Sequence, residues 1–257
     1  MRLPRLATAR MLLLLSVLVV VAFVTVYQHT SSRSWNNTLE ASVYPVNGDA
    51  SAATARYIDT LSDADFGTID RWAAREAERY GLPLNQPFRI TLGAPVEAIP
   101  PALGNDASPL EAIFWSLRFR WWAWQNTPDQ GGLSRVRVFV VYHQGHDGHA
   151  LAHSLGLQKG LLGLVNAFAR DTQHEQNLIV IAHELLHTVG ARDKYNPDGS
   201  PLWPQGFADP DKGPRRLQSH AEIMAGRLVT HEGLMMAPSL SKVVVNRWTA
   251  REINWVH

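Results

Sequence analysis

From Met11 to Tyr27 the chain is apolar at every position except Ser16 and Thr25. A helix over that run would be about 25 Å long, at the short limit of what crosses a bilayer. Residues 28–55 turn to Ser, Thr, Asn and Ala and read as a juxtamembrane linker, which leaves 56–257 for one folded domain. Within it, the spacing of apolar residues predicts a helix from Asp65 to Tyr80, stopped by Gly81 and Pro83. Phe88–Leu92 predicts a short strand. Ser108-Pro109-Leu110-Glu111 is a helix start, with a capping serine, a proline in the first turn and a glutamate three residues on. The helix it opens runs to about Gln125 and carries Trp115, Trp121, Trp122 and Trp124. Such aromatic density favours a core-packing face over a membrane-surface contact or ligand platform.

Arg135 to Tyr142 begins with alternation and becomes apolar, as a strand with one exposed end would. Gly160 to Phe168 is a second strand candidate. Asn177 to Val189 is helical in pattern, with Leu185, Leu186 and Val189 extending a buried face and Gly190 just past its end. The proline- and glycine-rich segment from Asn196 to Gln218 reads as a long ordered loop bordering a cleft. Ser239 to Val245 reads as a turn or strand, and Thr249 to Trp255 as a short terminal helix.

Composition narrows the class. The chain has 257 residues and no cysteine, so disulfides, thiolate ligands and a lipoprotein anchor are excluded. Arg2, Arg5 and Arg10 precede the apolar run with no acid among them. Val24 to His29 offers no small-x-small cleavage site, which favours an uncleaved signal-anchor over a removed signal peptide. The arginines place residues 1–10 in the cytoplasm, 11–27 in the membrane and the domain on the periplasmic or extracellular side. The formal charge is +1, and setting aside Arg2, Arg5, Arg10 and Arg33 leaves an acidic excess of three. No basic patch points to nucleic acid.

The chemistry is concentrated in His183-Glu184-Leu185-Leu186-His187-Thr188-Val189-Gly190-Ala191-Arg192-Asp193. Histidines at i and i+4 lie about 40° apart around a helix and roughly 6 Å apart along it, so both imidazoles reach one ion. Glu184 is placed to touch a water at that ion and act as general base. A glycine turn at 190 brings Asp193 back to a third ligand position, where a continued helix would carry it about 15 Å away.

This segment, with Asp193-x-Tyr195 and then Glu222-Ile223-Met224-Ala225-Gly226, resembles the snapalysin-type metzincin zinc proteases. The likeness runs from about Ile179 to Gly226. It implies an α+β metzincin-like fold: a twisted sheet with an edge strand, an active-site helix, a Met-turn and a C-terminal helix, here behind a transmembrane helix. It also implies one catalytic Zn2+ held by His183, His187 and Asp193, with Glu184 as base and Met224 beneath the metal. Tyr195 would stabilise an oxyanion or act as a distant ligand. Glu222 is a competing third ligand, as in gluzincins.

In metzincins an edge strand before the active-site helix pairs with the substrate backbone. Residues 160–168 are the candidate, with an internal strand or a buried helix as the alternatives. His143, His146, Asp147, His149 and His153 could hold a second, structural ion as in matrixin-type members, or form a solvated loop. The expected function is that of a membrane-anchored zinc endopeptidase acting on peptide or protein substrates. A non-catalytic, zinc-containing cell-envelope binding domain is the rival.

Overall fold

The computed structural model describes residues 3–104, 107–127, 135–145, 155–157, 161–212 and 217–256. Helix α1 (Leu3–Ser31) leads. Its span from Thr8 to Ser31 is apolar enough to cross a membrane and projects from the domain with none of that window buried.

The segment expected to be a linker contains strand β1 (Leu39–Asn47), which lies inside the sheet. Helices α2 (Ala52–Thr60) and α3 (Asp63–Glu78), strand β2 (Phe88–Leu92) and helix α4 (Pro109–Asn126) follow. Then come β3 (Val136–His143), β4 (Leu155–Leu157), β5 (Leu162–Phe168) and helix α5 (His174–Thr188). Among the described residues the five strands order as β2-β1-β3-β5-β4. The first four are parallel, with Ala41 opposite both Ile90 and Val136, and β4 is antiparallel to β5. The fold is therefore mixed α/β around a mainly parallel sheet.

Parallel strands are covered on both faces, and this removes the alternation that marks a half-exposed strand. In β1, Ala41 and Val43 face one core with Phe66, Ile69 and Trp72 of α3 and Leu178, Ile181 and Leu185 of α5. Tyr44 and Val46 face a second core with Trp115, Phe119 and Ala123 of α4. Ser42 and Pro45 give β1 the composition of a loop, although both lie inside the ladder.

The capping signals behave as their chemistry dictates. Asp65 accepts the Ser62 backbone N–H at 2.7 Å at the start of α3. Glu111 does the same for Ser108 at 2.7 Å at the start of α4. Helix α4 packs on Phe139 through Phe119 and Trp122. The expectation that its tryptophans form one core face is corrected. Leu110, Ile113, Phe114, Leu117, Trp121 and Trp124 run along the opposite side, each more than half exposed. The helix carries large apolar residues on both sides, and among the described residues nothing covers one of them.

Beyond α5, β6 (Ala221–Glu222) pairs with β9 (Val243–Val244), and β7 (Arg227–Thr230) forms a hairpin with β8 (Gly233–Met236). The terminal helix α6 (Arg247–Glu252) is capped by Asn246, which accepts from the N–H groups of Trp248 and Thr249. Helix α3 stitches this half to the sheet. Trp72 donates to the Val243 carbonyl at 2.9 Å and Tyr80 to the Val245 carbonyl at 2.8 Å, and buried Glu76 accepts the Val245 N–H at 2.9 Å.

The position of β1 sets a test of the domain boundary. Each of its buried apolar side chains stabilises the fold by about 1.5–3 kcal/mol, against a usual total of roughly 5–15 kcal/mol. A chain beginning at residue 56 should show no cooperative thermal transition by circular dichroism, whereas one beginning at Ser32 should. A cooperative melt from the shorter chain would show that β1 is dispensable.

Candidate metal centre

Helix α5 turns Leu178, Ile179, Ile181, Ala182, Leu185 and Leu186 into the core, which leaves His183 and His187 on the face that meets the C-terminal half. It ends as its sequence dictates. Gly190 takes φ 108°, a conformation open to glycine, and the Ala191 N–H returns to the Leu186 carbonyl at 3.0 Å.

That turn and the one that follows Glu222 place two carbonyls and a carboxylate around the histidines. His183 Nδ1 lies 2.9 Å from the Ile223 carbonyl, and His187 Nδ1 lies 2.8 Å from the Ala191 carbonyl. A carbonyl only accepts, so both Nδ1 atoms carry the proton and both neutral rings present an Nε2 lone pair. The two Nε2 atoms are 3.0 Å apart, and each is 3.1 Å from Asp193 Oδ1.

Three lone-pair atoms at these separations repel one another unless a positive centre lies among them. A proton can serve. Burial would lower His183, but the adjacent Asp193 carboxylate and the Glu184 charge push it up to about 9. Burial would likewise raise Asp193, yet the two imidazoles hold it well below the usual carboxylate range. A divalent cation satisfies all three atoms at once, and carbonyls fixing both Nδ1–H groups are the support that metal-binding histidines receive. The residues present fit a metal ion. Ligand atoms of His183, Glu184 and His187 also lie within 4.8 Å of one another.

Glu184 is 4% exposed, and its Oε2 is buried with no hydrogen-bond partner among the described residues. Burial raises its pKa, with the neighbouring histidines opposing. Tyr195 shares a cleft of about 470 Å³ with His183 and Glu184. Burial and the nearby Asp193 charge push its phenol up to about 12, so it stays protonated and able to donate.

Glu222 does not join the cluster. Its carboxylate is fully buried, with Oε2 accepting from the Met224 and Ala225 N–H groups and Oε1 from the Thr249 hydroxyl. Burial pushes it up to about 7, opposed by Thr249, by the Lys194 charge and by the Met224 N–H. Its work is to hold the tight turn that aims the Ile223 carbonyl at His183. Met224 is fully buried in that turn, and its carbonyl accepts the Lys194 N–H at 2.9 Å.

Lys194 and Glu252 were not legible from the sequence. Lys194 is 1% exposed and pairs with Glu252 at 2.6 Å, and Glu252 also accepts the Arg192 N–H at 3.0 Å. The residues on either side of Asp193 are thereby fixed from α6. A lysine inside the ligand segment was the only local hint, and its partner lies 58 residues further along the chain.

Two expectations are corrected, and a third falls mostly outside the described residues. The cleft wall opposite α5 comes from Gly226, Arg227 and Met236 of the β7–β8 hairpin region, with no lining residue among the described residues of 196–218. Strand β5 within 160–168 is internal, covered over Leu162–Leu164 by β4, which is the outermost strand. Asn166 and Phe168 at its far end do line the cleft. Of the possible second metal cluster, His143 ends β3, while His146, Asp147, His149 and His153 lie outside the described residues.

No known protein family matches the chain, and no curated protein matches it.

The division of labour between the two carboxylates is measurable. Asp193→Ala should abolish stoichiometric zinc binding. Glu222→Ala should leave zinc at one equivalent but lower stability by about 2–4 kcal/mol, because two buried N–H groups and a hydroxyl lose their acceptor. Metal analysis and denaturant unfolding on both variants check this. Loss of metal from the Glu222 variant alone would reverse the assignment.

Proposed function

We propose that the chain is a membrane-anchored, zinc-dependent endopeptidase. The observation that carries this reading is the convergence of His183 Nε2, His187 Nε2 and Asp193 Oδ1 beside the unpartnered, buried Oε2 of Glu184. Nitrogen and oxygen donors suit zinc, and the absence of thiolates leaves imidazole and carboxylate to set the choice. The likeness to snapalysin-type spacing over Ile179–Gly226 supports the same reading.

Zinc, when bound, supplies Lewis acidity that polarises a carbonyl and lowers the pKa of a water. The chain supplies the rest. The Ile223 and Ala191 carbonyls fix both rings, so little rearrangement is needed at the moment of reaction. Glu184 takes a proton from the attacking water, whose oxygen bonds to the scissile carbonyl carbon. As the C–N bond breaks, Glu184 returns that proton to the departing nitrogen, giving a carboxylic acid and an amine. Its raised pKa fits a group that must both accept and release a proton. The Tyr195 hydroxyl, in the same cleft, donates to the oxygen that gains negative charge. Helix α1 spans the membrane, with Arg2, Arg5 and Arg10 on the cytoplasmic side and the catalytic domain outside.

Glu184→Gln keeps size while removing the base. Zinc should remain at one equivalent and kcat on a library-selected peptide should fall by two to four orders of magnitude, roughly. Full zinc occupancy with no hydrolysis even in the wild type would identify a metal-containing binding domain instead. Tyr195→Phe should lower kcat by something like ten- to a thousandfold with KM little changed, since its bond forms mainly in the transition state. A raised KM at normal kcat would make Tyr195 a substrate contact.

A further inference from the structure

The anchor is seated on the domain and does not hang from it on a flexible tether. Its apolar run ends at Tyr27 and its helix at Ser31. Four residues later, Trp35 is 5% exposed, with its indole N–H donated to the Ile253 carbonyl at 2.6 Å. Its ring packs edge-on against Phe88 and Trp255, with centroids at 5.3 and 5.9 Å. Between these points, Arg33 donates to the Glu252 carbonyl and to Asn254 Oδ1 at 3.1 Å, and sits 3.2 Å from His29 of α1.

Glu252 is the residue whose carboxylate fixes Arg192 and Lys194 around Asp193. The last turn of α1 and the metal centre also share one cavity, of about 400 Å³, lined by His29, Arg33, His187, Arg192 and Glu252. His29 is only about 3 Å along the helix from the end of the apolar run.

A second observation places the membrane at this end of the molecule. Thr127, the cap of α4, lies beside Arg137 at 3.5 Å, and Arg137 pairs in register with Ser42 near the start of β1. The exposed Trp121 and Trp124 therefore sit at the end of the sheet where α1 leaves the domain. Tryptophan favours the membrane–water boundary.

We infer that the site acts on juxtamembrane segments of other membrane-anchored polypeptides, within a short, fixed height of the bilayer. This rests on the peptidase reading and on α1 as an anchor. A flexible linker over 28–55 would let the domain roam by roughly 30 Å root-mean-square. The four Cα steps from Ser31 to Trp35 allow at most about 14 Å. A substrate in the same membrane meets the site at high effective concentration, but only where its chain passes at the right height.

The test uses full-length, zinc-loaded protein in liposomes. One reporter is a soluble peptide selected from a library by the detergent-solubilised protein. In the others, the same peptide segment stands on a transmembrane helix behind a Gly/Ser spacer of about 5 or about 60 residues, the longer reaching roughly 40 Å root-mean-square. The short-spacer reporter should be cut at least tenfold faster than the long-spacer one, and faster again than the soluble peptide. Inserting about 20 Gly/Ser residues between Ser31 and Ser32 should erase the spacer preference and leave soluble-peptide hydrolysis unchanged. Equal cleavage of both spacers by the uninserted protein, or a spacer preference that survives the insertion, would overturn the inference while leaving the peptidase reading intact. Hydrolysis of no reporter, with zinc bound, would sink both.

Discussion

Two imidazole nitrogens and a carboxylate oxygen, each about 3 Å from the others, form an arrangement that no neutral core tolerates. Electrostatic repulsion among three acceptors must be balanced by positive charge at their centre, and the surrounding chain is organised to hold them there regardless. The Gly190 turn returns the chain. The Ala191 and Ile223 carbonyls lock both rings, and the Glu222 carboxylate clamps the turn that presents Ile223. A core that merely minimised its own energy would have let these groups swing apart. A cation at their centre would hold them together, and the buried carboxylate of Glu184 lies beside that point.

The support extends outward in a continuous line. Glu252 grips the backbone and side chain of the Asp193 segment, Arg33 grips the Glu252 carbonyl, and Trp35 wedges against the terminal turn at Ile253 and Trp255. Helix α3 ties the same half to the sheet through Trp72, Glu76 and Tyr80. The candidate metal centre, the terminal helix and the end of α1 are therefore parts of one packed unit.

Local chemistry was readable and distant pairing was not. The helix around His183 and His187, the stop at Gly190, and the capping box at Ser108 each depend on residues within a few positions, and all three appear where expected. Strand β1 was missed because burial on both faces removes alternation, and because Ser42 and Pro45 look like loop. The exposure of Trp121 and Trp124 was missed because a helix apolar on every side does not say which side is covered. Glu252, Lys194 and the hairpin wall of the cleft depend on contacts across the fold, which spacing alone does not encode.

The central place of β1 bears on how the chain matures. Ala41 emerges from synthesis just behind the apolar helix α1, yet its neighbours are Ile90 on one side and Val136 on the other, and the ladder continues to Leu162–Phe168. When β1 has been made, the sheet still lacks both of its neighbours, β2 and β3. Such non-local pairing is slow to form. His183, His187 and Asp193 follow all five strands of that sheet in the chain, so the three groups are brought together on a sheet whose strands have already been made.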